Sequence, residues 1–177
     1  MPQEASNPQT AGNDGTAANQ PQVLMQRIYC RDASLEVPFA PQIFNQKEWA
    51  PKVDVQVGTE VTSLGNDFHQ VSLNLTVTAK TGDDDKVAYL VEIKQAGLFL
   101  LTGFSDPQQL QAVLGAFCPN TIFPFARETV SDLVQRAGFP QLLLQPINFE
   151  ALYAQHLSEI QGQQAANGAA PTPATLN

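Results

Sequence analysis

The strictest alternation of apolar and polar positions runs through the middle of the chain. Val53, Val55, Val57, Thr59 and Val61 face one way while Asp54, Gln56, Gly58, Glu60 and Thr62 face the other, which is the period of a half-buried strand. Leu64 to Asp67, LGND, has turn chemistry. The following strand directs His69, Val71, Leu73, Leu75, Val77 and Ala79 inward and Gln70, Ser72, Asn74, Thr76 and Thr78 outward. TGDDDK then makes a solvated hairpin tip; its three Asp lack the spacing and closing Glu of a calcium loop. The next strand buries Val87, Tyr89, Val91 and Ile93 and turns Ala88, Leu90, Glu92 and Lys94 outward. One sheet face is thus wet, as antiparallel sheets permit. On it Leu90, beside Glu92, is a candidate docking spot, although single exposed leucines are common.

Upstream, Val23 to Val37 is rich in strand formers, including Leu24, Ile28, Tyr29, Cys30, Leu35 and Val37. If its register holds through Arg31, then Asp32, Ser34 and Glu36 share a face, and a bulge would shift that assignment. Pro38 and Pro41 end the strand. The loop that follows carries Phe39, Ile43, Phe44 and Trp49, which is more apolar surface than a loop normally exposes. Either it folds back and buries them or some of them line a groove.

Downstream of the sheet the period changes. Gln95 to Gly103 stays apolar without clean alternation, and Ser105 or Asp106 with Pro107 then starts a helix. Leu110, Val113, Leu114 and Phe117 form its stripe, and Pro119 is expected to stop it. A second helix carries Phe125, Ala126, Thr129, Val130, Leu133 and Val134 as its apolar face and ends at Gly138. FPQLLLQP, trapped between Pro140 and Pro146, is too short for another. The last helix starts at Asn148 as N-cap with Ile147 and Leu152 as staple. Phe149, Leu152, Tyr153, His156, Leu157 and Ile160 form a stripe that needs a cover.

Composition narrows the function. Residues 1–22 hold no aromatic or branched aliphatic side chain and are expected to be a disordered arm. Residues 162–177 are low in complexity and are expected to be a disordered tail, so one domain covers 23–161. Net charge is −8 and the nine Lys and Arg are scattered, so nucleic acid is a poor partner and a basic protein a better one. No stretch reaches the roughly 20 apolar residues of a membrane span, and residues 1–22 do not read as a signal peptide. The expected address is the cytoplasm, with Cys30 and Cys118 as free thiols, although sequence alone leaves a disulfide open. There is no nucleophile elbow, phosphate loop, HExxH or paired CxxC. His69 and His156 sit on apolar faces as core or interface residues. No enzyme, cofactor or metal site is expected.

Several stretches carry a resemblance: Gln26-Arg27-Ile28-Tyr29, Ala40-Pro41, Val77-Thr78-Ala79, Leu114 to Asn120, Phe123 to Glu128, and Phe139 to Leu142 through Pro146 to Phe149. CPNxxFPxAR and FPQLxLxPxNF are specific. Over about residues 25–160 the chain resembles the SecB protein-export chaperones. The resemblance implies an α+β protomer with a four-stranded antiparallel Greek-key sheet and helices packed on one side. It also implies protomers that pair into continuous sheets, and a homotetramer built as a dimer of dimers, with Leu110, Val113, Leu114 and Phe117 at the interface.

The implied function is an ATP-independent cytosolic holdase that keeps unfolded secretory precursor proteins translocation-competent and delivers them to the SecA motor. Its client groove is expected from Phe39, Ile43, Phe44 and Trp49, from Leu142 and Leu144, and from Leu152, Tyr153 and Leu157. The SecA contact is expected at Asp32, Glu36, Leu90 and Glu92, opposite a basic, zinc-carrying tail whose zinc belongs to SecA. Two features depart from the family pattern: the amino-terminal arm is longer, and no acidic residue follows Glu159. The alternative is a SecB-like chaperone dedicated to one partner, such as a toxin–antitoxin system.

Overall fold

The computed structural model describes residues 20–45, 48–81 and 85–168. Most of the amino-terminal arm, the acidic tip at 82–84 and the last nine residues lie outside it. Four strands, β1 (Gln22–Glu36), β2 (Lys52–Gly65), β3 (Phe68–Thr81) and β4 (Lys86–Thr102), form one antiparallel sheet in the order β1-β4-β3-β2. The β2–β3 hairpin turns at Asn66 and Asp67, both with positive φ, a conformation that Asn and Asp tolerate better than other side chains. β4 runs on through the irregular segment to Thr102 because each of its positions from Gln95 to Leu100 still pairs with both neighbours.

Helices cover one face. Asp106 caps α1 (Pro107–Ala112), its Oδ1 accepting from the Gln108 N–H at 2.9 Å. Pro119 does not end the helical run. A π turn at Val113–Phe117 leads directly into α2 (Cys118–Arg136), with the Cys118 N–H donating to the Val113 carbonyl. Widening the turn to i→i+5 bonds accommodates a proline in a first turn that needs no donor. Pro124 also lies inside α2. α2 ends where Gly138 takes φ +88°. The Phe139 N–H donates to the Val134 carbonyl and the Gly138 N–H to Gln135, the double bond of a Schellman cap.

α2 lies across β4 and β3, where Ala126, Val130 and Val134 meet Val71, Leu75, Val77, Val91 and Ile93 in the core. The expected strand faces hold for β3. In β4 the register slips between Tyr89 and Val87; the skipped residue, Ala88, is buried in the core rather than outward and Val87 is only half-buried, because a bulge breaks the inside-outside alternation. Phe125 is 47% exposed and does not share the core face expected of it; Ile122 and Phe123 do.

An irregular segment leads from Gly138 to α3 (Phe149–Gly168). Asn148 caps α3 as expected, its Oδ1 accepting from the Ala151 N–H at 3.0 Å. The helix runs beyond residue 161, where the folded domain was expected to end. Gln and Ala dominate 163–168, and both are good helix formers. No helix among the described residues is long and apolar enough to cross a membrane.

Candidate functional site

Register decides what stands together on the open face. β1 carries one bulge between Met25 and Arg27 and another between Cys30 and Asp32. Arg31 is the extra residue of the second, so Tyr29 pairs with Ala96 and Asp32 with Lys94. The bulge falls just before the acidic segment, and the shared face of Asp32, Ser34 and Glu36 survives it. Three rows then cross the sheet: Glu36, Leu90, Thr78, Asp54; Ser34, Glu92, Thr76, Gln56; and Asp32, Lys94, Asn74, Gly58. Opposed residues in antiparallel strands share a face. Asp32, Glu36, Leu90 and Glu92 are therefore brought together, with the three carboxylates exposed and Leu90 half-buried between them.

This face is tied down by side-chain amides. The Tyr29 hydroxyl donates to Gln70 Oε1 at 2.7 Å, Gln70 Nε2 donates to Ser72 Oγ at 3.3 Å, and Asn74 Nδ2 donates to Glu60 Oε1 at 2.8 Å. Beyond Tyr29 the face turns apolar, with Leu24, Leu98, Leu100 and Phe68.

On the helix face, cover is uneven. α2 shields β3 and β4 but leaves the edge strand β2 bare. Val53, Val55 and Val61 are exposed and Val57 is half-buried, although all four have the orientation of core residues. Their row partners show where the strip leads. Val53 stands opposite Ala79, which is paired on its other side with Tyr89. Tyr89, Phe139, Trp49 and Phe44 form an aromatic cluster there, with ring centroids 5.0 Å apart for Tyr89–Phe139 and Trp49–Phe139 and 5.2 Å for Phe44–Phe139. Burial raises the Tyr89 phenol above its ordinary range and keeps it protonated.

At its other end the strip enters a furrow of about 490 Å³ beneath α3, lined by Val57, Thr59 and Val61 on one wall and Leu152, Tyr153 and His156 on the other. α3 reaches this position because Gly115 has no side chain: a Cβ there would clash with the edge of the Tyr153 ring. A second hollow of about 640 Å³ lies between Ala112, Val113 and Phe117 and the start of α3.

The expected groove residues divide accordingly. Phe44 is 50% exposed at the rim of the aromatic cluster, Phe39 is exposed nearby in sequence, and Trp49 is half-buried within the cluster. Leu152, Tyr153 and Leu157 lie on α3, with Leu152 and Leu157 exposed. Ile43 and Leu144 are buried in the protomer's own core and offer no free surface; Leu142 packs against that core and Leu143 projects instead, 63% exposed. In the expected interface stripe Leu114 is 3% exposed, covered by its own chain, so it needs no second copy; Leu110 and Val113 are half-buried and only Phe117 of the four stands clear. Sequence reasoning left out Phe139, Tyr89 and the β2 valines. The valine alternation was the signal for the last of these.

Among the described residues no three His, Cys, Asp or Glu side chains are grouped as metal ligands would be. The two thiols are unpaired: Cys30 is exposed, and burial pushes Cys118 up to about 12.

The family model for SecB, the preprotein translocase subunit, matches residues 16–160. The chain belongs to the SecB family. The protein-export protein SecB of Nitrosococcus oceani is 46% identical over 167 residues, which cover 94% of this chain and 98% of that one. The protein of the same name from Pseudomonas putida is 50% identical over 161 residues, covering 90% and 95%. Among solved structures, a SecB-like chaperone of Mycobacterium tuberculosis, in complex with an antitoxin peptide, aligns with a TM-score of 0.59 at 18% identity, covering 71% of this chain and 90% of that one. At that identity the likeness is one of fold. SecB relatives at this coverage make the chain a protein-export chaperone of the Sec pathway.

Proposed function

We propose that the bare strip of β2 is the floor of a client channel running from the aromatic cluster to the furrow under α3. From Val53 to Val61 there are eight residue steps, which at about 3.4 Å each span about 27 Å, room for an extended segment of similar length. Apolar burial is non-directional, so such a floor accepts many sequences. Because β2 is the last strand of the sheet, a client strand can also take up its unpaired backbone groups. The observation that carries this reading is a row of core-facing valines on an edge strand, Val53, Val55 and Val61 exposed and Val57 half-buried, over which the protomer's own helices do not close.

The strand order, three consecutive hairpin-linked strands with β1 beside the last, fits a Greek key. β1 leaves the other edge free for a second protomer, and exposed Phe117 and Phe125 on the helix side suit contact between two such pairs. In a homotetramer of this kind several weak client sites act together. The acidic rows around Leu90 face outward for SecA, away from the channel, so holding and delivery use opposite faces of one sheet. The setting is the cytoplasm and the work requires no nucleotide. A chaperone dedicated to one toxin–antitoxin partner is not favoured, since the relatives near 50% identity carry the export name.

The test is a holding assay without nucleotide, with native mass spectrometry alongside. The protein should slow aggregation of unrelated unfolded precursors as a tetramer. Binding of a single dedicated partner and no others would sink the reading.

A further inference from the structure

Within the three acidic rows of the open face stands one base. Asp32, Glu36, Glu92 and Asp54 supply four negative charges to the twelve paired positions, and Lys94 supplies a positive one. Lys94 lies opposite Asp32 on β1 and Asn74 on β3, and two residues along its own strand from Glu92. Opposed side chains in an antiparallel pair have Cβ atoms about 5 Å apart. Yet among the described residues Lys94 closes no ion pair, and its side chain is exposed like those of Asp32 and Glu92. A cation bound up in a buried salt bridge would be a matter of stability. A solvated one in the middle of an anionic patch acts mainly on whatever docks there.

We propose that Lys94 is an affinity-limiting residue of this face: its charge is positioned to weaken docking of a basic partner and thereby to favour release of that partner after delivery. The inference rests on the reading of these rows as the SecA contact. Its physical content is a single like-charge repulsion. A partner cation held by Asp32 and Glu92 comes within about 7 Å of Lys94, and one unit charge at that distance in water-like surroundings changes binding about threefold. Removing Lys94's charge should tighten the complex by that factor, and reversing it by about tenfold. Because rim charges act through screened electrostatics, the gain should shrink as salt is raised.

The measurement is a titration of purified SecA into the full-length protein and into Lys94→Gln, Lys94→Glu, Lys94→Arg and Glu92→Lys, at low and at high ionic strength, with a thermal melt of each variant. The expected result is tighter binding by Lys94→Gln, tighter still by Lys94→Glu, both gains fading in high salt, and wild-type affinity in Lys94→Arg with melting midpoints alike. If Lys94→Gln is neutral or weaker while Glu92→Lys weakens binding, the role of Lys94 is overturned and the docking face stands. If Glu92→Lys leaves SecA binding untouched, the docking face itself is wrong and the inference falls with it.

Discussion

The two faces of the sheet are written by one alternation yet end in different conditions. On β4, Tyr89, Val91 and Ile93 are buried under helices while Leu90, Glu92 and Lys94 meet solvent, the inside-outside division that period two always makes. On β2 the division fails. Its valines have the orientation of core residues, but α2 stops at β3 and α3 leaves a furrow over Val57, Thr59 and Val61 instead of closing on them. Alternation therefore states which face a side chain is on; the extent of the helical layer decides whether that face is covered. An apolar face that is uncovered on an edge strand is a liability unless something binds it.

The comparison can be broken most severely at the aromatic cluster. Phe139 packs on Phe44, Trp49 and Tyr89, so Phe139→Ala should cost about 3–5 kcal/mol, the usual range for a buried Phe, and loosen the aromatic end of the proposed channel. Chemical denaturation should show it, and wild-type stability would mean the cluster is not part of the core.

A milder change separates the faces. Val55→Glu puts a charge on the exposed strip without opening a cavity. It should weaken client holding about tenfold or more, because a bound apolar segment would desolvate an unpaired carboxylate, and leave SecA binding as it was. Loss of both in parallel would show that the two faces do not act separately.

The thiols sharpen the contrast at the smallest scale. Cys30, on edge strand β1, should react with a thiol reagent in the native protein and Cys118 should react only on unfolding. Cys118 is held up to about 12 from its ordinary 9.0 by burial. The folded state thus holds this proton more tightly than the unfolded chain does. Its contribution to stability is fully present below about pH 9 and is lost as pH climbs toward 12. A melting midpoint that rises over that interval would contradict the assignment.

Much of this was legible in the sequence, for reasons that differ by residue. Strict alternation marked β2, β3 and the start of β4, and Asp106, Asn148 and Gly138 marked helix ends by the hydrogen bonds their side chains or φ permit. Asp32 could be placed with Glu36, and Leu90 with Glu92, because parity within a strand is local information; that the two pairs share one face was implied by the family resemblance and is set by the β1–β4 register. What parity could not supply was the layer above. Nothing in the spacing of Leu142, Leu143 and Leu144 indicates that the first packs, the second projects and the third is buried, since an irregular segment has no period. Leu114 and Phe117 likewise share a stripe in an ideal helix, but the π turn at Val113–Phe117 shifts the register, leaving one buried and the other exposed. Pro119 looked like a stop because the wider turn that accommodates it has no sequence signature.

Backbone amide exchange on β2 tests the central claim most directly. With a saturating unfolded client bound and no nucleotide present, exchange along Val53–Val61 should slow markedly, while the outward rows Asp32–Glu36 and Leu90–Lys94 keep their rates. Unchanged exchange at Val53–Val61 under a client that is demonstrably bound would contradict the account.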